Sequence, residues 1–286
     1  MAVQNLATDI TYRPMLEGDL PTAHQLSQAV RWPHRIEDWQ FVHRLGSGFV
    51  AERNGEVIGS AMCWSHGSDY ASLGMIIVSP DAQGNGIGRA LMESILDLIG
   101  ERNTLLFATP EGQPLYEQLG FQAIGTVHQH RGTIVKPTVV APPPGERIRP
   151  AGLNDRTKLI EMAAAGAGMP RASVLNELLQ VADGVVLDNQ GELTGFALIR
   201  RFGHGYVIGP VVATSVERAQ AMISYWAGAR VDSFIRIDVD DSGQLSPWLQ
   251  ELGLLQADSV VAMVKGKAPA PATGLQQFAI INQALG

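Results

Sequence analysis

Cysteine is almost absent: Cys63 stands alone in 286 residues, which excludes an intramolecular disulfide and fits a reducing compartment or none in particular. No apolar run reaches the roughly 18–20 residues that a membrane-spanning helix needs. The N-terminal Met1-Ala2-Val3-Gln4-Asn5 has no basic stretch ahead of an apolar one, so no secretory leader is read there. Positive charge is also short, with 21 basic against 28 acidic residues and a net charge of -7. Up to Ala141 there are nine basic and fourteen acidic residues. A nucleic-acid partner wants a basic patch, so that class is set aside together with the membrane, and cationic small molecules are mildly favoured. The chain reads as cytosolic. Hydrophobic residues make up 45% and charged residues 17%, ample material for cores, and the length suits about two domains.

The densest chemical signal is Val78-Ser79-Pro80-Asp81-Ala82-Gln83-Gly84-Asn85-Gly86-Ile87-Gly88-Arg89. An apolar, strand-like run, Met75-Ile76-Ile77-Val78, feeds a glycine loop that opens a helix. Helix N-termini leave backbone N–H groups unpaired at the positive end of the macrodipole, and glycines let an anion approach them, so this turn suits a pyrophosphate. Two glycine loops fail on spacing. A P-loop wants Lys and then Ser or Thr after its second glycine, and Arg89-Ala90 follows Gly88. A G-x-G-x-x-G fingerprint meets Arg89 when counted from Gly84 and Leu91 when counted from Gly86.

Gln83-x-x-Gly86-x-Gly88, preceded by Val78-x-Pro80, resembles the Q/R-x-x-G-x-G/A pyrophosphate loop and strand end of the GCN5-related N-acetyltransferases. Pro114-Leu115-Tyr116-Glu117-Gln118-Leu119-Gly120-Phe121 is similar to that family's Y-x-x-x-G-F segment, in which the tyrosine lies beside the coenzyme A sulfur. Two motifs in order, at the right separation, make an accident unconvincing.

Pro137 to Gly145, with three successive prolines at 142–144, forbids helix and central strand alike. Across this linker the chain repeats itself. Arg13-Pro14 with Asp19 recurs as Arg149-Pro150 with Asp155, Gly55 to Gly59 recurs as Gly191 to Gly195, and Pro114 to Gly120 answers Pro247 to Gly253. The expected organisation is an acetyltransferase domain at 1–136, a Pro-rich linker at 137–146, a degenerate domain of the same type at 147–267 and a tail at 268–286 that is too apolar to float and docks on a domain. The fold class is α/β: alternating strands and helices in a mixed sheet, with two acyl-CoA N-acyltransferase-like domains in tandem. Asn54-Gly55 marks a hairpin turn, and Leu91, Ile95, Leu98 and Ile99 put one apolar face on a helix ended by Gly100. The second copy keeps the scaffold and loses the site. Its loop from Gly209 to Ala219 has no further glycine, Glu217 brings an anion where phosphate would sit, and Leu249 stands in place of Tyr116. In layout the chain is similar to bacterial proteins that pair an N-terminal acetyltransferase domain with a divergent C-terminal one. The second half is expected to cover, dimerise or shape the acceptor site, a homodimer being one arrangement this allows.

The resemblance implies acetyl-CoA as donor, one per chain in the first half, and a small-molecule amine or amino-acid-like acceptor that attacks the thioester directly. Ile76, Ile77 and Val78 would offer strand-edge amides; Gln83, Gly84, Asn85, Gly86, Ile87, Gly88 and Arg89 would hold the pyrophosphate; Tyr116 would act as general acid toward the departing thiolate. Thr109 stands where the family often has an asparagine on the cofactor. The family's usual strand-borne glutamate base is missing from Tyr70 to Met75, which leaves His66, His34 or Asp69 as candidates, acting through water. Trp32, His34, Trp64 and Tyr70 gather around the presumed acceptor end, where an amine could meet an aromatic face. His128 and His130 lack a convincing third ligand, so no metal is expected, and Cys63 reads as buried packing. Two other functions remain open: a coenzyme A-responsive module without catalysis, and transfer of aminoacyl or longer acyl groups.

Overall fold

The computed structural model describes residues 10–240 and 245–286. Met1–Asn5, read above for a leader, lies outside them. The first half supplies strands β1 (Ile10–Pro14), β2 (Ser47–Arg53), β3 (Glu56–His66), β4 (Tyr70–Val78), β5 (Asn103–Ala108) and β6 (Gln122–Thr133), with helices α1 (Leu20–Ala29), α2 (Ile36–Leu45), α3 (Ile87–Ile99) and α4 (Gln113–Gln118). The second half supplies β7 (Arg147–Pro150), β8 (Asp183–Asn189), β9 (Glu192–Phe202), β10 (Gly205–Ala213), β11 (Phe234–Asp240), β12 (Leu255–Lys265) and β13 (Gln276–Ala279), with α5 (Arg156–Ala167), α6 (Ala172–Val181), α7 (Val216–Ala229) and α8 (Ser246–Glu251).

All thirteen strands form one mixed sheet in the order β1-β2-β3-β4-β5-β12-β6-β11-β13-β10-β9-β8-β7. The order is palindromic about the β12–β6 pair except for β13. The halves have exchanged strands: β12 lies against β5, from Val261↔Ala108 to Lys265↔Thr104, and β6 lies against β11, from Phe234↔Thr133 to Asp240↔Val127. The Pro-rich segment therefore divides the sequence while the sheet runs on. One core also spans both halves, bringing Trp39 and Trp64 together with Leu175, Phe196 and Leu285.

The repeat in the sequence is a repeat of ion pairs and turns. Arg13 reaches Asp19 and Glu52, each at 2.7 Å, and Arg149 reaches Asp155 at 2.7 Å and Asp188 at 2.8 Å. The hairpins turn through left-handed residues in both copies, Asn54-Gly55 and Gln190-Gly191. Helix α3 buries Leu91, Met92, Ile95 and Ile99 against the sheet, and Gly100, at φ 69°, ends it. Leu98, placed above on the apolar face, is 50% exposed; it stands in the last turn of the helix, next to its end.

β13 is the asymmetric element. Strands β10 and β11 pair in parallel only at Tyr206 to Ile208 and then separate, and β13 enters the gap, pairing with Val211 to Ala213 on one side and Val239 on the other. Phe278 and Ala279 are buried there in the second half's core. The tail then reaches the first half, where Ala284 lies against Gly74, and Arg171 of the second half donates to the backbone oxygens of Leu285, at 2.9 Å, and Gly286.

Candidate functional site

Strands β4 and β5 repeat the same divergence. They pair in parallel from Tyr70↔Asn103 to Leu73↔Leu106 and then part. At the parting β4 bulges: Met75 takes φ 53°, the register with β3 shifts between Ser60 and Met62, and the Ser60 hydroxyl donates to the Met75 carbonyl at 2.9 Å. A bulge at a sheet opening re-aims the strand. Beyond it, among the described residues, β4 has no strand on its β5 side, so this edge can take an extended ligand as a sheet takes an added strand.

The edge leads into a groove of about 650 Å³ lined by Ile76, Ile77, Val78, Gln83, Gly84, Gly86, Ile87, Gly88 and Arg89. The N-terminus of α3 faces it without a side-chain cap, and Gly86, at φ 78°, is the cap residue. A Cβ at Gly84 or Gly86 would meet nothing within 4 Å, so the space over the unpaired amides is open to a ligand. Gln83 and Asn85 shape the turn, Gln83 Nε2 donating to Val78 O and Asn85 Nδ2 to Ala82 O, each at 3.1 Å. Asn85 does not line the groove. Arg89 is tied to Gln118 Oε1 and presents its charge beside the loop. The residues fit the pyrophosphate and pantetheine of a coenzyme A.

A second cavity of about 470 Å³ lies on the other side of the bulge. Six residues line both spaces: Val30, Trp32, Ile76, Thr109, Glu111 and Tyr116. They form the junction of groove and chamber. Tyr116 is 8% exposed and packs edge-on against Phe121 at 6.2 Å. Burial pushes its phenol up to about 12, so it stays protonated and able to donate.

The other candidates separate. Trp32 and His34 line the chamber. His34 stacks edge-on with Phe202 at 5.2 Å and lies 5.6 Å from Trp32. Desolvation, with Arg236 nearby, lowers its pKa to about 3, which makes it a poor proton acceptor. His66 is fully buried and bonded to the Ser72 hydroxyl at 3.0 Å, away from both cavities. Burial lowers it to about 3 as well. Asp69 lies at the closed end of the β4–β5 pair, where its carbonyl accepts from Asn103 N at 2.8 Å. Trp64 is core: its indole donates to Val42 O at 2.8 Å and its ring lies under Gly74. Tyr70 reaches the Ala268 carbonyl at 3.5 Å and lines neither cavity. His128 and His130 bond to the Ser259 and Ser246 hydroxyls, at 2.8 and 3.0 Å.

Much of the chamber comes from residues that carry no local motif: Gln129 and Arg131 on β6, Phe202 on β9, Arg236 on β11, Asp258 on β12, and Asn282 to Ala284 of the tail. Gly74 is required by the tail, since a Cβ there would stand 2.9 Å from Ala284 Cα. In the second half the equivalent groove is closed. β13 fills the strand gap, Ser215 caps α7 by accepting from Arg218 N, the Glu217 carboxylate is held below its usual range by its own backbone amide, and Leu249 is fully buried.

Each half matches a family model described as an acetyltransferase (GNAT) domain, at residues 44–123 and 159–279. The chain belongs to the GNAT acetyltransferases and carries two such domains in tandem. It is 29% identical over 220 residues to the uncharacterized N-acetyltransferase YitH of Bacillus subtilis, covering 75% of this chain and 76% of that one. It is 24% identical over 267 residues to the holothin acyltransferase of a Pseudoalteromonas species, covering 83% and 88%. A crystal structure from Pyrococcus horikoshii shares the fold over 100% of this chain and 99% of that one, with TM-score 0.81 at 18% identity. Among the described residues no helix is long and apolar enough to cross a membrane.

Proposed function

We propose that the chain is an N-acetyltransferase that binds one acetyl-CoA, in the first half, and acetylates the primary amine of a small, amino-acid-like acceptor held in the chamber. The observation that carries this reading is the junction, where Tyr116 and the bulged edge of β4 stand at the meeting of a phosphate-type groove and a separate chamber. Acetyl-CoA supplies an activated thioester. The chain supplies position: amides of Ile76 to Val78 along the strand edge, and the α3 N-terminus for the pyrophosphate. Tyr116 holds a proton ready for the departing sulfur; a thiol of pKa ~8.5 needs only a hydrogen bond from a phenol to leave. Glu111 is the carboxylate shared by groove and chamber and draws an ammonium group to the junction. His34, kept neutral, lines the way without adding charge.

The test is a thiol-release screen of the purified chain with acetyl-CoA over amines, amino acids and peptides. Turnover with an amine supports the reading, and coenzyme A binding without turnover across the panel overturns it in favour of a binding module. A second reading, transfer of a longer acyl group, draws on the resemblance to a holothin acyltransferase. An acyl-CoA chain-length series in the same assay separates the two.

A further inference from the structure

Arg131 on β6 and Arg236 on β11 are direct cross-strand partners in the antiparallel register, and both line the chamber. Like charges directly opposite each other weaken a sheet, so stability does not account for the pair. Asp238, fully buried, neutralises Arg236 by accepting from Nε at 3.1 Å and from Nη2 at 2.7 Å. That pairing and the Phe202 ring, 5.3 Å from the guanidinium carbon, fix the Arg236 fork and leave its Nη1 with no acceptor among the described residues. Arg131 is exposed into the chamber, with neither hydrogen bond nor ion pair among the described residues. The full positive charge of Arg131 therefore faces the cavity with the Gln129 side chain beside it, and Arg31 lines the same chamber.

We propose that Arg131, assisted by Arg236 Nη1, is the specificity residue that binds the carboxylate of the acceptor. The inference rests on the acceptor reading above and deepens it. The polarity of the chamber supplies the orientation. Glu111 lies at the junction and the arginines line only the chamber, so a molecule carrying an ammonium and a carboxylate is held amine-first toward Tyr116. A single negative charge fits better than a phosphate dianion, because Asp238 already engages Arg236 and Asp258 also lines the wall. A guanidinium presents its N–H groups in a fork that matches a carboxylate in two parallel bonds.

The experiment is calorimetric titration of the full chain, saturated with coenzyme A, using a panel of free amino acids and, in parallel, their carboxamides. Arg131→Gln keeps a hydrogen-bonding side chain and removes the charge. Acids are expected to bind at least 10-fold more tightly than their amides, with R131Q weakening the acids about 10- to 100-fold, as for lost charge-assisted bonds, and leaving the amides alone. Equal binding of acids and amides, no binding by any acid, or an equal loss for both classes in R131Q overturns the assignment. Acid binding that depends on Arg131 with no thiol release sinks the transfer reading and leaves this one standing. Thiol release with amides as good as acids does the reverse.

Discussion

Tyr116→Phe removes one oxygen from the junction and little else. The ring keeps its edge contact with Phe121, and among the described residues the hydroxyl has no hydrogen-bond partner to strand. The melting temperature should stay within about 2 °C, the shift that a few tenths of a kcal/mol gives in a chain of this size. The loss falls on the chemical step. A hydrogen bond to a group developing charge contributes about 1.5–3 kcal/mol, which at 1.36 kcal/mol per decade lowers kcat roughly 10- to 150-fold. Coenzyme A affinity, which does not need the phenol, should change less than about twofold. Because burial pushes the phenol up to about 12, the wild type keeps this proton through neutral and mildly alkaline pH. Its kcat should therefore rise with pH as the acceptor amine loses its proton, with no fall near pH ~10, the ordinary tyrosine range. The assay is thiol release against pH for both proteins, with calorimetric coenzyme A binding alongside. A variant kcat within twofold of wild type refutes the role of Tyr116, and a wild-type alkaline limb near the ordinary phenol pKa that the variant lacks refutes the protonation argument.

Three further outcomes follow from the geometry. Gly86→Val places a β-branched side chain at φ 78° and over the open α3 N-terminus, so calorimetry should show coenzyme A affinity falling at least 10-fold; unchanged affinity dismisses the groove. Phe278→Ala empties part of the second half's core and should cost about 3–5 kcal/mol in denaturant unfolding. Coenzyme A stoichiometry should stay at one per chain in that variant, because Ser215 and Glu217 still satisfy the α7 N-terminus, and a second equivalent of bound ligand contradicts this. His66 titrates at about 3 when folded and near ~6.5 when unfolded. A depressed pKa means stability that is present above pH ~6.5 and lost as pH falls toward 3. His66→Gln, which can keep a bond to Ser72 and cannot titrate, should flatten the fall of melting temperature over that interval; an unchanged slope removes His66 from the account.

What could be read from the sequence was what is written locally. Arg13 and Asp19 are six residues apart, and the same spacing recurs at Arg149 and Asp155, so one ion pair shows itself twice. The glycine loop and Asn54-Gly55 demand particular backbone angles and declare themselves by residue type. The exchange of β6 and β12 leaves no such mark, because alternation says that a segment pairs and is silent on its partner. Trp64, expected at the acceptor end, lies in the core for a related reason. β3 is buried on both faces over most of its length, so nothing in its pattern tells which side a residue takes. Arg131, Arg236 and Phe202 reach the chamber from strands of both halves, and only the tertiary register brings them together.

The palindromic sheet offers two openings of the same kind, one between β4 and β5 and one between β10 and β11, and the chain treats them differently. In the second, β13 supplies the backbone partners that an extended ligand would otherwise supply, and α7 satisfies its own N-terminus with Ser215 and Glu217. The first is left open, with a bare glycine at the α3 cap. The same tail that closes one opening ends beside the other, with Asn282 to Ala284 in the chamber wall and Ala284 against Gly74. Closing the second site and completing the first are thus done by one continuous segment. A second half whose α7 N-terminus is capped by Ser215 still has work in the fold: it lends β12 to the first half's sheet and Arg236 and Phe202 to the chamber, and its tail is the strap that joins them.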